Sequence, residues 1–330
     1  TGLNNTAVGH NSLTVATASG NTAVGSQSMQ NTTTGNQNVA VGFNALATNT
    51  TGTANTALGY NALVLCNALG NADNTAMGYN ALAANTTAGG NTSVGSQSMQ
   101  NTTTGNQNVA LGFNALATNT TGAASTAIGY NALSQSSALG VTNNTAVGTN
   151  ALAGNTTATG NTAVGSQSMQ LTTTGSQNVA VGYNTLNANT LGTSNTAIGY
   201  NSLALCTASG AADNTAVGFN TLAVTTSGIQ NTAIGSQALQ ANTTGLYNTA
   251  VGYQSLNIAS TANQNTSIGT RSLRFCTTGA GNTAVGYQSL GSLSTGSNNI
   301  AIGSNSLSSN VGGGGSVAIG NDTLSSFTAG

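Results

Sequence analysis

The feature that most constrains this chain is a nine-residue peptide rewritten along it from end to end. It reads Asn21-Thr22-Ala23-Val24-Gly25-Ser26-Gln27-Ser28-Met29 in one copy and Asn55-Thr56-Ala57-Leu58-Gly59-Tyr60-Asn61-Ala62-Leu63 in another. Its glycine stands at 9, 25, 42, 59, 78, 95, 112, 129, 148, 165, 182, 199, 218, 235, 252, 269, 286, 303 and 320, nineteen copies in all. Fourteen of the eighteen spacings are 17 residues, three are 19 and one is 16. A cadence this regular implies a repeat architecture, in which each copy is one small structural unit that buries its apolar face on its neighbours.

Aligning the copies on the glycine compares the chain with itself. Four residues before it stands Asn in seventeen copies, with Ser125 and Ser316 the exceptions. Three before it is Thr, replaced by Val39, Val109, Val179, Ile300 and Val317; two before it is Ala, or Ser at Ser93 and Ser267. The residue before the glycine is always Val, Ile, Leu or Met, and four after it is always Leu or Met. Alternate residues of a strand share a face, so the Thr/Val and Val/Ile columns point one way and the Ala and Gly columns the other. Exchange of Thr for Val and Ile marks the first face as the core. The Ala and Gly columns are limited in size, which predicts that something lies close against them. The glycine reads as a bend or a close backbone approach, with a second short strand and a turn such as Asn49-Thr50-Thr51-Gly52 after it.

Each copy is then one coil of two short strands and two turns. Antiparallel hairpins favour Asn-Gly or Asp-Gly turns, and neither dipeptide occurs. Helical repeats tolerate this density of Gly, Thr and Asn poorly. Proline is absent, as suits backbone amides that donate to a neighbouring coil. The fold expected is all-β, a parallel β-solenoid or β-roll of about nineteen coils of 16–19 residues, with identical residues above one another and Asn columns forming amide ladders. It forms a single repeat array over 1–330, with three 70-residue super-repeats over 25–234 and uniform 17-residue coils over 235–330. Both ends fall inside a repeat, and neither an initiator Met nor a signal peptide opens the chain, which reads as a matured chain or a window on a longer one. Each coil carries about two large aliphatics, a thin core for a solenoid alone. Packing of the Ala/Gly face against another chain is therefore expected, most simply in a homotrimer, and uncapped terminal coils allow an end-to-end polymer.

The repeat Asn-Thr-Ala-Val-Gly, and especially Ser316-Val317-Ala318-Ile319-Gly320, resembles the head repeats of trimeric autotransporter adhesins, and is similar to repeats of phage tail fibres and bacterial surface fibres. The resemblance covers nearly the whole chain. It implies a left-handed β-roll assembled as a homotrimer, extracellular or on the cell surface or virion, serving as a fibre and often adhesive.

Composition excludes several classes. Two arginines, three aspartates, no lysine and no glutamate leave no basic patch for nucleic acid and no basic face for a membrane-surface helix. No apolar run approaches the roughly 18 residues of a membrane-spanning helix. One histidine, His10, and no glutamate give no acid–base pair, so a non-enzymatic chain without cofactor or metal is expected. Asp73 and Asp213 lie 140 residues apart in the same phase, with Asn143 between them, and read as loop decorations. Cys66, Cys206 and Cys276, with Ser136 in the intervening slot, read as a column of small buried thiols. Arg271 and Arg274 share one coil and offer either an anion site or a solvated edge. Gly312-Gly313-Gly314-Gly315 lacks the lysine of a phosphate loop and reads as a turn.

The column after the glycine carries the candidate site. It holds Phe43, Tyr60, Tyr79, Phe113, Tyr130, Tyr183, Tyr200, Phe219, Tyr253 and Tyr287, interrupted by Ser26, Ser96, Ser166 and Ser236. Such a ladder suits stacking on the sugar rings of surface glycans, stacking of the rings on one another, or filling of a groove between chains. Asn-x-Ser/Thr sequons at Asn31, Asn49, Asn85, Asn155 and Asn242 matter only in a glycosylating pathway. Thr-rich turns such as Thr32-Thr33-Thr34 raise an ice-binding alternative.

Overall fold

The computed structural model of the chain describes residues 2–67, 72–137, 140, 142–207 and 210–328. The described residues form 21 strands and no helix. Nineteen strands are three residues long, one for each copy of the repeat. The chain divides into two compact units, Thr1–Val164 with ten of these strands and Gly165–Gly330 with nine. Within each unit the strands pair in parallel and in register. Thr22, Ala23 and Val24 lie beside Val39, Ala40 and Val41 in the first; Thr215, Ala216 and Val217 lie beside Thr232, Ala233 and Ile234 in the second. The second unit adds a two-residue pair, Gly192–Thr193 with Gly210–Ala211. The fold is the parallel β-solenoid that the glycine cadence predicts.

The two faces of each strand are the reverse of those expected from the sequence. The Ala column is the interior one: Ala23, Ala57 and Ala216 have no exposed surface. The Thr/Val and aliphatic columns flanking it point outward, with Leu111 47% and Ile198 40% exposed. The cause is the narrowness of the coil. Its interior takes one large apolar side chain per turn, joined by Leu293 in a single coil, and the Leu/Met column four residues past the glycine supplies it; Met29, Leu133 and Leu222 are completely buried. Only a small side chain, Ala or the serine of Ser93 and Ser267, fits at the strand centre beside such a residue, because overpacking a filled interior forces side chains off their rotamers. The Ala column is therefore not available for packing against another chain.

The segment after the glycine also differs from the expected second strand. Gln27 and Met29 have φ of 60° and 49°, and Asn61 and Leu63 of 53° and 55°, all left-handed. This zigzag turns the Leu or Met inward. It still bonds coil to coil, since the Met29 N–H donates to the Ala45 carbonyl at 3.0 Å and the Asn31 N–H to Ala47 at 3.0 Å. A left-handed leucine costs roughly 1–2 kcal/mol, and its burial contributes about 1.5–3 kcal/mol in return. Each coil thus has one three-residue strand rather than two. The repeat glycine is required twice over: Gly129 has φ of +131°, and a Cβ there would lie 2.6 Å from the Gly148 carbonyl oxygen.

The Asn column forms the expected ladder. Asn38 Oδ1 accepts from the Asn55 backbone N–H at 2.9 Å and from Asn55 Nδ2 at 3.2 Å, while Asn38 Nδ2 donates to the Gly52 carbonyl at 2.9 Å. Every rung satisfies groups that would otherwise be buried without partners. Where Ser125 replaces Asn, its Oγ accepts from the Asn144 N–H at 3.3 Å and bonds the Thr142 hydroxyl. Seven residues past the glycine, a second Asn closes the turn: Asn49 Oδ1 accepts from the Gly52 N–H at 2.9 Å and Nδ2 donates to the Gly52 carbonyl at 3.0 Å. Cys66, Cys206 and Cys276 occupy this same column, buried and free of disulfides.

Candidate binding surfaces

With the Ala, Asn, Leu and turn columns inside, the exterior includes the outward strand face, the aromatic column, a polar groove and the loop residues before each strand, such as Asn36 and Gln37. The residue after the glycine leaves the coil outward, and in-register stacking sets successive rings about one strand spacing, ~4.8 Å, apart. Phe43, Tyr60 and Tyr79 stack with centroids 5.3 and 5.4 Å apart and planes 16° and 14° from parallel. Phe113 and Tyr130 stack at 5.6 Å. Tyr183, Tyr200 and Phe219 stack at 5.3 and 5.5 Å. These separations are those of offset stacks. Tyr60 and Tyr200 have a ring against each face, so a ligand meets ring edges, phenol hydroxyls and the outer faces of the terminal rings. Tyr60 is 47% and Tyr130 51% exposed. Tyr253 and Tyr287 are exposed members of the same column on coils separated by that of Thr270.

The groove follows the columns two, five and six residues past the glycine. In the first unit Gln97, Gln100, Asn101, Asn114, Asn131 and Gln135 line it. In the second unit its amides pair coil to coil, Asn184 Nδ2 donating to Asn201 Oδ1 at 2.8 Å and Gln254 Nε2 to Gln237 Oε1 at 2.9 Å. Such a surface offers donors and acceptors without charge.

The candidates for chemistry are dispersed. His10 is exposed on the first coil of the array. Asp73 and Asp213 take left-handed conformations, φ 46° and 47°, in different units. Among the described residues, no three His, Cys, Asp or Glu side chains come together as a metal site would require. Burial pushes the Cys276 thiol up to about 11, against a smaller opposing effect of its backbone hydrogen bond with Gly279. Gly312-Gly313-Gly314-Gly315 belongs to a turn closed by Asn310, whose Oδ1 accepts from the Gly313 N–H at 2.9 Å. No helix among the described residues is long and apolar enough to cross a membrane.

The chain matches no protein-family model and no curated protein. The sequence gives no sign of Tyr247, 52% exposed outside the aromatic column; it offers Arg271 and Arg274 as an anion site or a solvated edge, and the structure adds the cleft beside them. The available signal for the cleft was Gly291, the only glycine in a column five residues past the repeat glycine.

Proposed function

We propose that the chain is a structural, non-enzymatic segment of an extracellular fibre, adhesin-like or filamentous, which associates with copies of itself and presents a neutral Asn/Thr-rich surface for attachment. One observation carries this reading: in coil after coil the aliphatic side chain before the glycine lies on the outside, at strand spacing. Ile198, Ile234 and Ile268 are each 40–42% exposed on alternate coils, with the half-buried Val217 and Val251 between them. Contiguous exposed apolar surface of this kind marks an interaction site, and a homotrimer placing three such faces together would cover it. The aromatic edges and amide groove remain outside for host or surface glycans, as on a cell-surface or phage tail fibre.

Sedimentation equilibrium of the intact chain tests the proposal. A mass of three chains is expected, and Ile198→Lys with Ile234→Lys should dissociate it with an unchanged circular dichroism spectrum. A wild-type mass of one chain at every concentration overturns the reading. A second reading rests on a different observation: Thr56, Thr75 and Thr92 form a partly exposed hydroxyl column in strict register. Such a lattice suits ice, and thermal hysteresis in solutions of the purified protein is its test.

A further inference from the structure

The only two cationic side chains of the protein lie on one coil of the second unit, three residues apart. Arg271 and Arg274 stand two and five residues past Gly269, in two of the columns that line the polar groove. In all other copies the first of these columns is Asn or Gln, apart from Asp322. On the next coil Gly291 removes the side chain that would stand beside Arg274. The result is a cleft of about 220 Å³. Arg271, Arg274 and Phe275 line it from one coil, Gln288 and Ser292 from the next, and Ser308 and Ser309 from the one after.

The Nε atoms of both arginines are buried without a hydrogen-bond partner. The Arg274 guanidinium lies 4.9 Å from the centroid of the Phe275 ring, a contact that fixes its plane. No carboxylate lines the cleft, so its two cationic side chains have no counter-ion there. An oxyanion in the cleft would accept charge-assisted bonds from the terminal N–H groups of both arginines. The volume is below the roughly 300–1,000 Å³ of sites for drug-sized ligands. Beyond the guanidinium groups, the remaining lining is hydroxyl and amide.

We propose that this cleft binds an oxyanion, carboxylate, sulfate or phosphate, carried on a sugar-sized polyhydroxylated ligand. The proposal is independent of the fibre reading and holds for one chain or several. Isothermal titration calorimetry of the full chain with glucuronate, glucose 6-sulfate and glucose 6-phosphate tests it, with glucose and inorganic sulfate as controls. At least one acidic sugar binds with one site per chain, at least tenfold more tightly than either control. The ranking among the three identifies the anion. Affinity falls as ionic strength rises. Arg271→Gln and Arg274→Gln each lose about tenfold or more. Both keep the fold by circular dichroism, because Gln254 and Gln240 occupy the same columns elsewhere. Gly291→Gln fills the cleft, keeps both charges and also loses binding, which separates a shaped site from diffuse attraction. Three results overturn the proposal: acidic sugars that bind no better than glucose, binding untouched by Arg271→Gln, or inorganic sulfate that binds as tightly as its sugar ester.

Discussion

Two columns of this molecule are aliphatic in every copy, and they end on opposite sides of the backbone. The residue four past the glycine is interior: Leu63, Leu133 and Leu222 have no solvent exposure. The residue just before the glycine is exterior: Leu58, Leu111 and Ile234 keep 42–47% of theirs. A side chain's place in a repeat shows that an apolar group is wanted there; the backbone path decides what covers it. Strand geometry puts the residue before the glycine on the face opposite alanine, whereas a left-handed φ turns the later leucine inward. The inner column serves the folding of one chain, and the outer column is left on its surface.

The inner column gives the largest effect. Leu222→Ala empties the one large position of its coil and should cost about 2–5 kcal/mol in urea-induced unfolding. Next is the amide ladder beside it. Asn231 Oδ1 accepts from the Asn248 N–H at 3.0 Å and from Asn248 Nδ2 at 3.1 Å, and its Nδ2 donates to the Gly245 carbonyl at 2.8 Å. Asn231→Ala orphans those buried groups and should cost about 2–3 kcal/mol. Asn231→Ser should cost less, because Ser125 shows that a hydroxyl reaches the neighbouring N–H. Equal losses for Ala and Ser would mean that the ladder contributes only by packing.

These contrasts mark what the sequence discloses. Strict recurrence of residue types column by column reveals parallel register, since only in-register stacking makes every copy's environment the same. Asn in seventeen copies reveals the ladder, and an invariant glycine reveals close approach. The facing of the strand is not legible, because Ala next to Val suits a tight interior as well as a tight interface. Nor is the left-handed run after the glycine, because Leu and Met ordinarily avoid φ near +50°. The aromatic column is legible as a ladder from its phase. Arg271 and Arg274 are legible as a charged pair on one coil, but the cleft beside them is read only by comparing columns, since it depends on the side chain missing at Gly291 on the following coil.

The turn column joins the inner and outer worlds and yields a pH dependence. Burial raises the Cys276 thiol from 9.0 to about 11. The folded state thus holds a proton that the unfolded chain releases above pH 9. Its contribution to stability is complete below pH 9, declines as pH rises from 9 to about 11 and is absent above that. Comparison of urea midpoints with Cys276→Ala across that window isolates the thiol from the tyrosines, since Ala259 already occupies this column. Parallel midpoints for the two proteins would place the thiol in contact with water. Ile234→Ala, on the outer column, should cost under about 1 kcal/mol in a chain kept dilute, because only part of that side chain is withdrawn from water. A larger, concentration-dependent cost would show a partner chain covering it.

The smallest effect has the opposite sign. Thr102 shares the turn column with Cys66 and Asn119, is buried, and its hydroxyl has no hydrogen-bond partner. Asn at this position bonds the turn three residues on, as Asn119 does with Gly122 at 2.8 and 3.0 Å; a threonine hydroxyl is too short to make both bonds. The column therefore offers Thr102 a place for its volume and none for its oxygen. Thr102→Val keeps the shape and removes the unpaired group, so the urea midpoint should rise by an amount equivalent to about 1 kcal/mol or less. A fall instead would mean that water reaches this hydroxyl, and that the turn column is less dry than the Leu/Met column three residues before it.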